Sequence, residues 1–103
     1  MVTMVLAQKC VVVRDTMACE DHSVIETYVT ALILSVNAGN KGFFNDVEAE
    51  LLDAGQIIPV DKGVRVDIIK LNKIIIMGIE STTAQVRIHG RLWCINTVEL
   101  DCK

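Results

Sequence analysis

Residues 64–96 read V-R-V-D-I-I-K-L-N-K-I-I-I-M-G-I-E-S-T-T-A-Q-V-R-I-H-G-R-L-W-C-I-N, and their period decides the fold. Val64, Val66 and Ile68 alternate with Arg65, Asp67 and Ile69, the period of two that lines one face of a half-buried strand. Leu71-Asn72-Lys73 reads as a turn. Residues 74–80 are almost wholly apolar and are expected to lie between two covered faces. Ser81-Thr82-Thr83 reads as a tip. Ala84, Val86 and Ile88 then alternate with Gln85, Arg87 and His89, which places His89 toward solvent. Gly90-Arg91 turns the chain again, and residues 92–96 form the last full strand. Thr97-Val98-Glu99-Leu100 is a single turn or a bridge. Short strands separated by frequent turns predict a small closed or nearly closed antiparallel sheet.

Working upstream, residues 56–60 are a short apolar strand that carries the only proline, Pro59. Proline cannot donate to a ladder, so this strand belongs at an edge or an end. Asp61-Lys62-Gly63 is a turn. Before Gly55 the period becomes helical: Val24, Ile25, Tyr28, Val29, Leu32, Ile33 and Val36 repeat at the spacing of one helix face. Ser23 followed by Glu26 reads as a capping box, and Asn37-Ala38-Gly39-Asn40 supplies a stop, so a helix is predicted over 24–36. Its many β-branched residues lower its intrinsic propensity, so packing must hold it. A second helix is expected with Asn45 as its cap, Asp46, Glu48 and Glu50 in its first turn, a stripe of Val47, Leu51 and Leu52, and Gly55 as its end. Phe43 and Phe44 pack its entrance. Residues 4–13, with Val11-Val12-Val13 at their close, read as a strand that Arg14-Asp15-Thr16 breaks. The chain is therefore expected to be one α+β domain over 1–103: an N-terminal strand at 4–13, a helical preface at about 20–55 and a barrel at about 56–100.

Composition agrees with one compact domain. The chain has 103 residues, 51% apolar and 22% charged, with six Gly and one Pro. A disordered chain is poorer in Val, Ile and Leu, and collagen-like or linker chains need far more Gly and Pro. The net charge of −3 is a weak footprint for a polyanion-binding protein. Residues 1–55 hold three basic and eight acidic side chains, and residues 56–103 hold seven and five. No apolar run approaches the roughly 18 residues of a membrane span. Met1 to Ala7 lacks the basic start and long apolar core of a secretory signal. The sequence thus reads as cytoplasmic as it stands, and as periplasmic or secreted if a leader was removed.

Cys10, Cys19, Cys94 and Cys102 permit two disulfides in three pairings, or buried free thiols. Eight residues separate the first pair and seven the second, wider than the two to four that zinc ligands favour. No metal site and no cofactor are expected. Catalysis needs a nucleophile, a base and an orienting group within reach. Cys19, Asp21 and His22 are close in sequence, and a helix N-terminus lowers a thiol pKa. No oxyanion loop, phosphate loop or dinucleotide fingerprint accompanies them, so no enzyme is expected.

Gly55-Gln56-Ile57-Ile58, Gly63-Val64-Arg65-Val66 and Ala84-Gln85-Val86-Arg87-Ile88 with Gly90 and Trp93 together resemble small bacterial SH3-like barrels. The upstream part is similar to exported SH3-like domains, mostly of unassigned function. In these a strand ends near an Ala-Cys pair (here Ala18-Cys19), and a helix and a short helix with Leu-Leu (here Leu51-Leu52) follow. The resemblance covers residues 10–100. It implies an SH3-like antiparallel barrel preceded by a strand and two short helices. It also implies a cysteine in the strand after Gly55 to pair with the upstream one. Ile57 stands there instead, which leaves Cys19 free or paired with Cys10, Cys94 or Cys102.

The functional expectation is a non-enzymatic protein-binding module of bacterial or phage origin, acting as a small inhibitor, immunity or adaptor protein. An exported inhibitor of a cell-wall hydrolase is one concrete form, by fold-level analogy alone. Arg91 and Trp93, residue types enriched in binding hot spots, are the expected contacts, together with Arg87, His89 and Arg65. Trp93 also reads as a core residue. Aliphatic surface in excess with only 4% aromatics favours a protein partner, and a homodimer through a strand edge is one way to cover it. The alternative is an RNA- or DNA-binding barrel of the KOW type found in ribosomal and transcription proteins. It would use Arg65, Arg87, His89, Arg91 and Lys73 as a basic strand face with Trp93 as a stacking platform. Nucleic acid is disfavoured by the negative charge and the scarcity of aromatics.

Overall fold

A computed structural model describes residues 8–102. In chain order the elements are β1 (Gln8–Val12), β2 (Thr16–Cys19), α1 (His22–Ala38), α2 (Lys41–Asp53), β3 (Ile57–Val60), β4 (Arg65–Ile76), β5 (Ile79–Ile88), β6 (Arg91–Asn96), a 3₁₀ turn at Thr97–Glu99, and β7 (Leu100–Cys102). The seven strands form one antiparallel sheet in the order β3-β2-β6-β5-β4-β1-β7. It curls into a half-barrel, so the class is α+β as expected. Pro59 lies on β3, an edge strand, where its missing N–H costs no ladder bond.

Two cores sit on opposite faces of this sheet. Residues directly opposite in an antiparallel ladder share a face, so the registers Val66–Cys10, Ile68–Val86, Val86–Trp93 and Ala84–Ile95 define the concave interior. Val12, Ala18, Val60 and Ile88 complete it. On the convex side Cys19, Ile57, Cys94 and Ile76 pack against Val24 and Ile25 of α1 and Leu51 of α2. Cys10 on β1 faces Cys102 on β7, and the two are joined by a disulfide across a sequence separation of 92. A bridge over so long a loop removes much unfolded-state entropy, typically about 2–4 kcal/mol of stabilisation. The first-strand expectation is met over 8–12; its residues 4–7 lie outside the described residues.

The helices differ from expectation at their starts. Asp21, not Ser23, caps α1: its Oδ1 accepts from the Val24 backbone N–H at 3.0 Å and from the Ser23 hydroxyl at 2.7 Å. Asp outcompetes Ser here because a carboxylate gains from the helix dipole as well as from the hydrogen bonds. Gly39, at φ +65, ends the helix. Asn40 caps α2 by accepting from the Gly42 N–H, so α2 begins four residues before the expected Asn45 and takes in Phe43 and Phe44.

The largest departure lies in β4 and β5. The predicted turn at 71–73 and tip at 81–83 do not exist. Both segments lie inside one long hairpin, with the register running without a break from Lys70–Gln85 to Ile76–Ile79. The turn is Met77-Gly78, at φ +51 and +79, the paired left-handed geometry of a two-residue hairpin loop. A bulge at Ile69 shifts the register between Ile68 and Lys70. The extra residue reverses the facing of everything after it. Val66 and Ile68 point into the barrel, whereas Ile74 and Ile76 pack toward the helices. Residues 74–80 are thus only partly covered: Ile75, on the concave side, is 66% exposed, and Ile79, opposite Ile76 on the convex side, is 60% exposed.

Two stability predictions follow from these positions. Replacing Ile95, which is fully buried, by Ala is expected to cost about 2–5 kcal/mol in denaturant unfolding, against under about 0.5 kcal/mol for exposed Leu71→Ala. Asp21→Ala removes the α1 cap and is expected to cost about 1 kcal/mol at neutral pH. Its hydrogen bonds from Ser23 and Val24 hold the Asp21 carboxyl below its ordinary pKa of 3.8. The cap is therefore at full strength above that value and weakens as pH falls through the lowered one. The difference between wild type and variant should shrink in acid unfolding below pH 3.8; a pH-independent difference would remove the carboxylate from the explanation.

Candidate interaction surfaces

The five residues expected at a contact surface divide between the two faces of the sheet. Arg91 stands opposite Ile88 and two residues before Trp93, on the concave side. Its Nη2 donates to Glu20 Oε1 at 2.8 Å, and its guanidinium lies 4.5 Å from the Trp93 ring centroid. The indole is only 4% exposed and belongs to the interior core, so it supports Arg91 from beneath. Arg65 and Arg87 lie on the convex side, with Asp67 directly opposite Arg87 and Val11 opposite Arg65. His89 occupies the β5–β6 turn at φ +52 and is exposed. Lys73 sits far along the hairpin, paired with Glu80 at 3.8 Å. The structure therefore brings Arg91, Trp93 and Glu20 together. It does not join Arg91 and Lys73 to Arg65 and Arg87 on one face, and an acidic residue stands beside Arg87.

The Cys19, Asp21, His22 group is not arranged for nucleophilic activation. Cys19 is 1% exposed, and burial, the neighbouring Cys94 and the Asp21 carboxylate push its thiol up to about 12. Burial outweighs the helix end here, because a buried thiolate loses its solvation. His22 Nε2 lies 3.5 Å from Thr83 Oγ1. Among the described residues no group of three His, Cys, Asp or Glu side chains could hold a metal ion, and no helix is long and apolar enough to cross a membrane.

A cleft of about 640 Å³ opens between α1 and the β2–β3 pair. Met17, Ile25, Val29 and Pro59 give it apolar walls, with Cys19 among its lining residues. Its polar rim is mostly acidic. Tyr28 donates to Glu48 Oε2 at 2.8 Å, and Asp15 Oδ1 accepts from the Lys62 backbone N–H at 2.8 Å. Arg14 Nε lies 3.0 Å from Glu99 Oε2, a charge contact outside hydrogen-bond alignment. Burial and the hydrogen bond to Glu48 raise the Tyr28 pKa, so the phenol stays a donor. The rim draws Asp15 and Glu48 from the acidic first half of the sequence and Asp61 and Glu99 from the second, so no local run of charge marks it.

Exposed apolar side chains also lie along the outer half of the β4–β5 hairpin, which carries no local signal in the sequence. Leu71, Ile75, Met77 and Ile79 are each at least half exposed. Among the described residues β1 pairs with β4 only as far as Ile68 and β6 with β5 only as far as Thr83. Beyond those points the two strands pair with each other alone. This arm helps stretch the molecule to 53 × 28 × 22 Å. It lies at one end of β5, and His89, Arg91 and Arg87 lie at the other. In comparisons with known proteins, no family model, no curated protein and no solved structure matches this chain.

Proposed function

We propose that the chain is a non-enzymatic protein-binding module that acts by covering part of another protein's surface, as a small inhibitor, immunity protein or adaptor does. The observation that carries this reading is the β4–β5 arm. It presents Leu71 and Ile75 to solvent on its concave side, Ile79 on its convex side and Met77 at its turn, and exposed apolar surface of this kind marks interaction sites. Met77 adds weight. It holds φ +51 in a two-residue turn where Asn, Asp or Gly is preferred, and it is 51% exposed. A residue unfavourable for both backbone and solvation points to contact rather than to folding. The edges of the arm, unpaired among the described residues, can accept a strand from a partner, including a second copy of this chain. Arg91, braced by Trp93 and Glu20, with Arg87, His89 and Arg65, forms a second contact region at the opposite end in this reading. The SH3-like resemblance and a bacterial or phage origin belong to the same proposal. The Cys10–Cys102 bond supports its exported form, since disulfides persist in oxidising compartments.

The test separates the arm from the far end. Ile75→Thr, Met77→Asn and Ile79→Thr combined keep strand propensity and improve the turn. The triple variant is expected to unfold at the same temperature as wild type or higher. It should also lose a partner that wild type, carrying a photo-crosslinker at Lys73, captures from an extract of source cells. Capture unchanged in the triple variant overturns the arm as the contact, and loss only with Arg91→Ala moves the contact to the far end. Salt-dependent oligonucleotide binding that Arg65→Ser and Arg87→Ser abolish would replace a protein partner with nucleic acid.

A further inference from the structure

β2 and β3 pair along their whole lengths, Thr16–Val60 to Cys19–Ile57. This two-stranded unit joins the rest of the sheet through one register pair, Cys19 on β2 opposite Cys94 on β6. The seam is thus the narrowest part of the sheet, and both residues of its one pair are cysteines. Directly opposite residues point to the same face, with Cα atoms about 4.5–5.5 Å apart, inside the Cα range that a disulfide spans once the Cβ atoms draw together by a small shift. Cys10 and Cys102 stand in the same relation on β1 and β7 and are bonded, with Cα atoms 4.2 Å apart. Cys19 and Cys94 are both free and both buried, at 1% and 4% exposed.

We infer that Cys19 and Cys94 are a second disulfide site, one that staples the β2–β3 unit to the main sheet, with a low-molecular-weight disulfide of the glutathione type as oxidant. One cysteine, as thiolate, attacks a sulfur of the small disulfide; that S–S bond breaks and one small thiol leaves. The other cysteine then attacks the mixed disulfide, forms the Cys19–Cys94 bond and expels the second small thiol. The two protein thiols lose two protons and two electrons, and the two sulfurs of the oxidant gain them.

The surroundings set when this happens. In the folded chain the thiols are shielded, and burial with the nearby Asp21 carboxylate disfavours their ionisation. Attack requires a thiolate and access. Closure therefore belongs to folding, before α1 settles over the seam. In the native chain the cleft that Cys19 lines is the way in.

The reduced, unfolded chain is refolded in a buffer of reduced and oxidised glutathione, quenched with an alkylating agent under denaturing conditions, and digested after Lys, Arg and Glu. Those cuts place the four cysteines in four separate peptides. The expected products are a Cys10–Cys102 pair and a Cys19–Cys94 pair, with no alkylated cysteine. Native chain with Cys19 and Cys94 still reduced should close the second pair far more slowly in the same buffer. The two-disulfide chain should unfold several degrees above the chain in which Cys19 and Cys94 are reduced, a comparison that needs no variant to fold. Alkylated Cys19 and Cys94 after refolding that joins Cys10 to Cys102 would overturn the inference. So would linkage of either residue to glutathione alone, and an unchanged unfolding temperature would remove the staple.

Discussion

One extra residue, Ile69, governs how this molecule is assembled. Strand side chains alternate strictly, so a single inserted residue exchanges the two faces for the remainder of the strand. Before the bulge, Val66 and Ile68 fill the barrel interior; after it, Ile74 and Ile76 reach the convex side and pack with the residues under α1 and α2. Without the bulge, Leu71, Lys73 and Ile75 would face the helices instead. β4 therefore serves both cores. The helices are held on the same strand that lines the half-barrel interior, and the arm is stiffened on one side by that contact. Its other side is left without cover among the described residues.

That asymmetry explains why the apolar content of the chain does not all disappear into its cores. A curled seven-stranded sheet with helices over part of its convex face has two faces to cover and only two helices to cover them. The concave face closes on itself through Trp93, Ile95, Val86 and Ala84. The convex face is capped over Cys19, Ile57 and Cys94. The concave side of the arm extends past the mouth of the half-barrel, so among the described residues neither a strand nor a helix covers Leu71 and Ile75. The Lys73–Glu80 ion pair flanks Ile75 there, and both partners are mostly exposed. Such a pair contributes little to stability, but it sets charges beside the apolar surface and so narrows what can dock.

The sequence showed the parts whose signal is local. Alternation in 64–68 and 84–88, a helix over Val24 to Val36, the stop at Gly39 and the edge position of Pro59 all correspond to observed features. The buried face of that helix, however, runs through Val24, Ile25, Ala31 and Ser35, while Leu32 and Val36 of the expected stripe are exposed. Parity across a bulge has no local signature. Even-numbered residues are the buried ones both before and after Ile69, so the pattern looks continuous while its meaning has reversed. The Met77-Gly78 turn lacks the Asn or Asp that announces a two-residue loop, and the polar Leu71-Asn72-Lys73 and Ser81-Thr82-Thr83 segments imitate turns. The helix caps were misplaced for a related reason: Asp21-His22-Ser23 and Asn40 to Asn45 each contain two residues able to cap. At α1 the carboxylate's charge favours Asp21 over Ser23, and at α2 Asn40 is the residue that caps.

The contact surface was less legible than the fold. Arg91 and Trp93 stand out in the sequence as hot-spot residue types, and Arg65, Arg87 and His89 as a basic strand face, but strand alternation sends Arg87 and Arg91 to opposite faces, and Trp93 is drawn into the interior. Arg91 keeps a defined position because the buried indole and Glu20 hold it, which lowers the entropy lost when a partner engages it. The arm achieves order differently, through backbone pairing from Lys70 to Ile76 and through Ile74 and Ile76 anchored beneath it. An apolar surface mounted on a braced hairpin requires little ordering on binding. In the proposed function, that combination of backbone pairing with exposed aliphatic side chains is what suits the arm to docking.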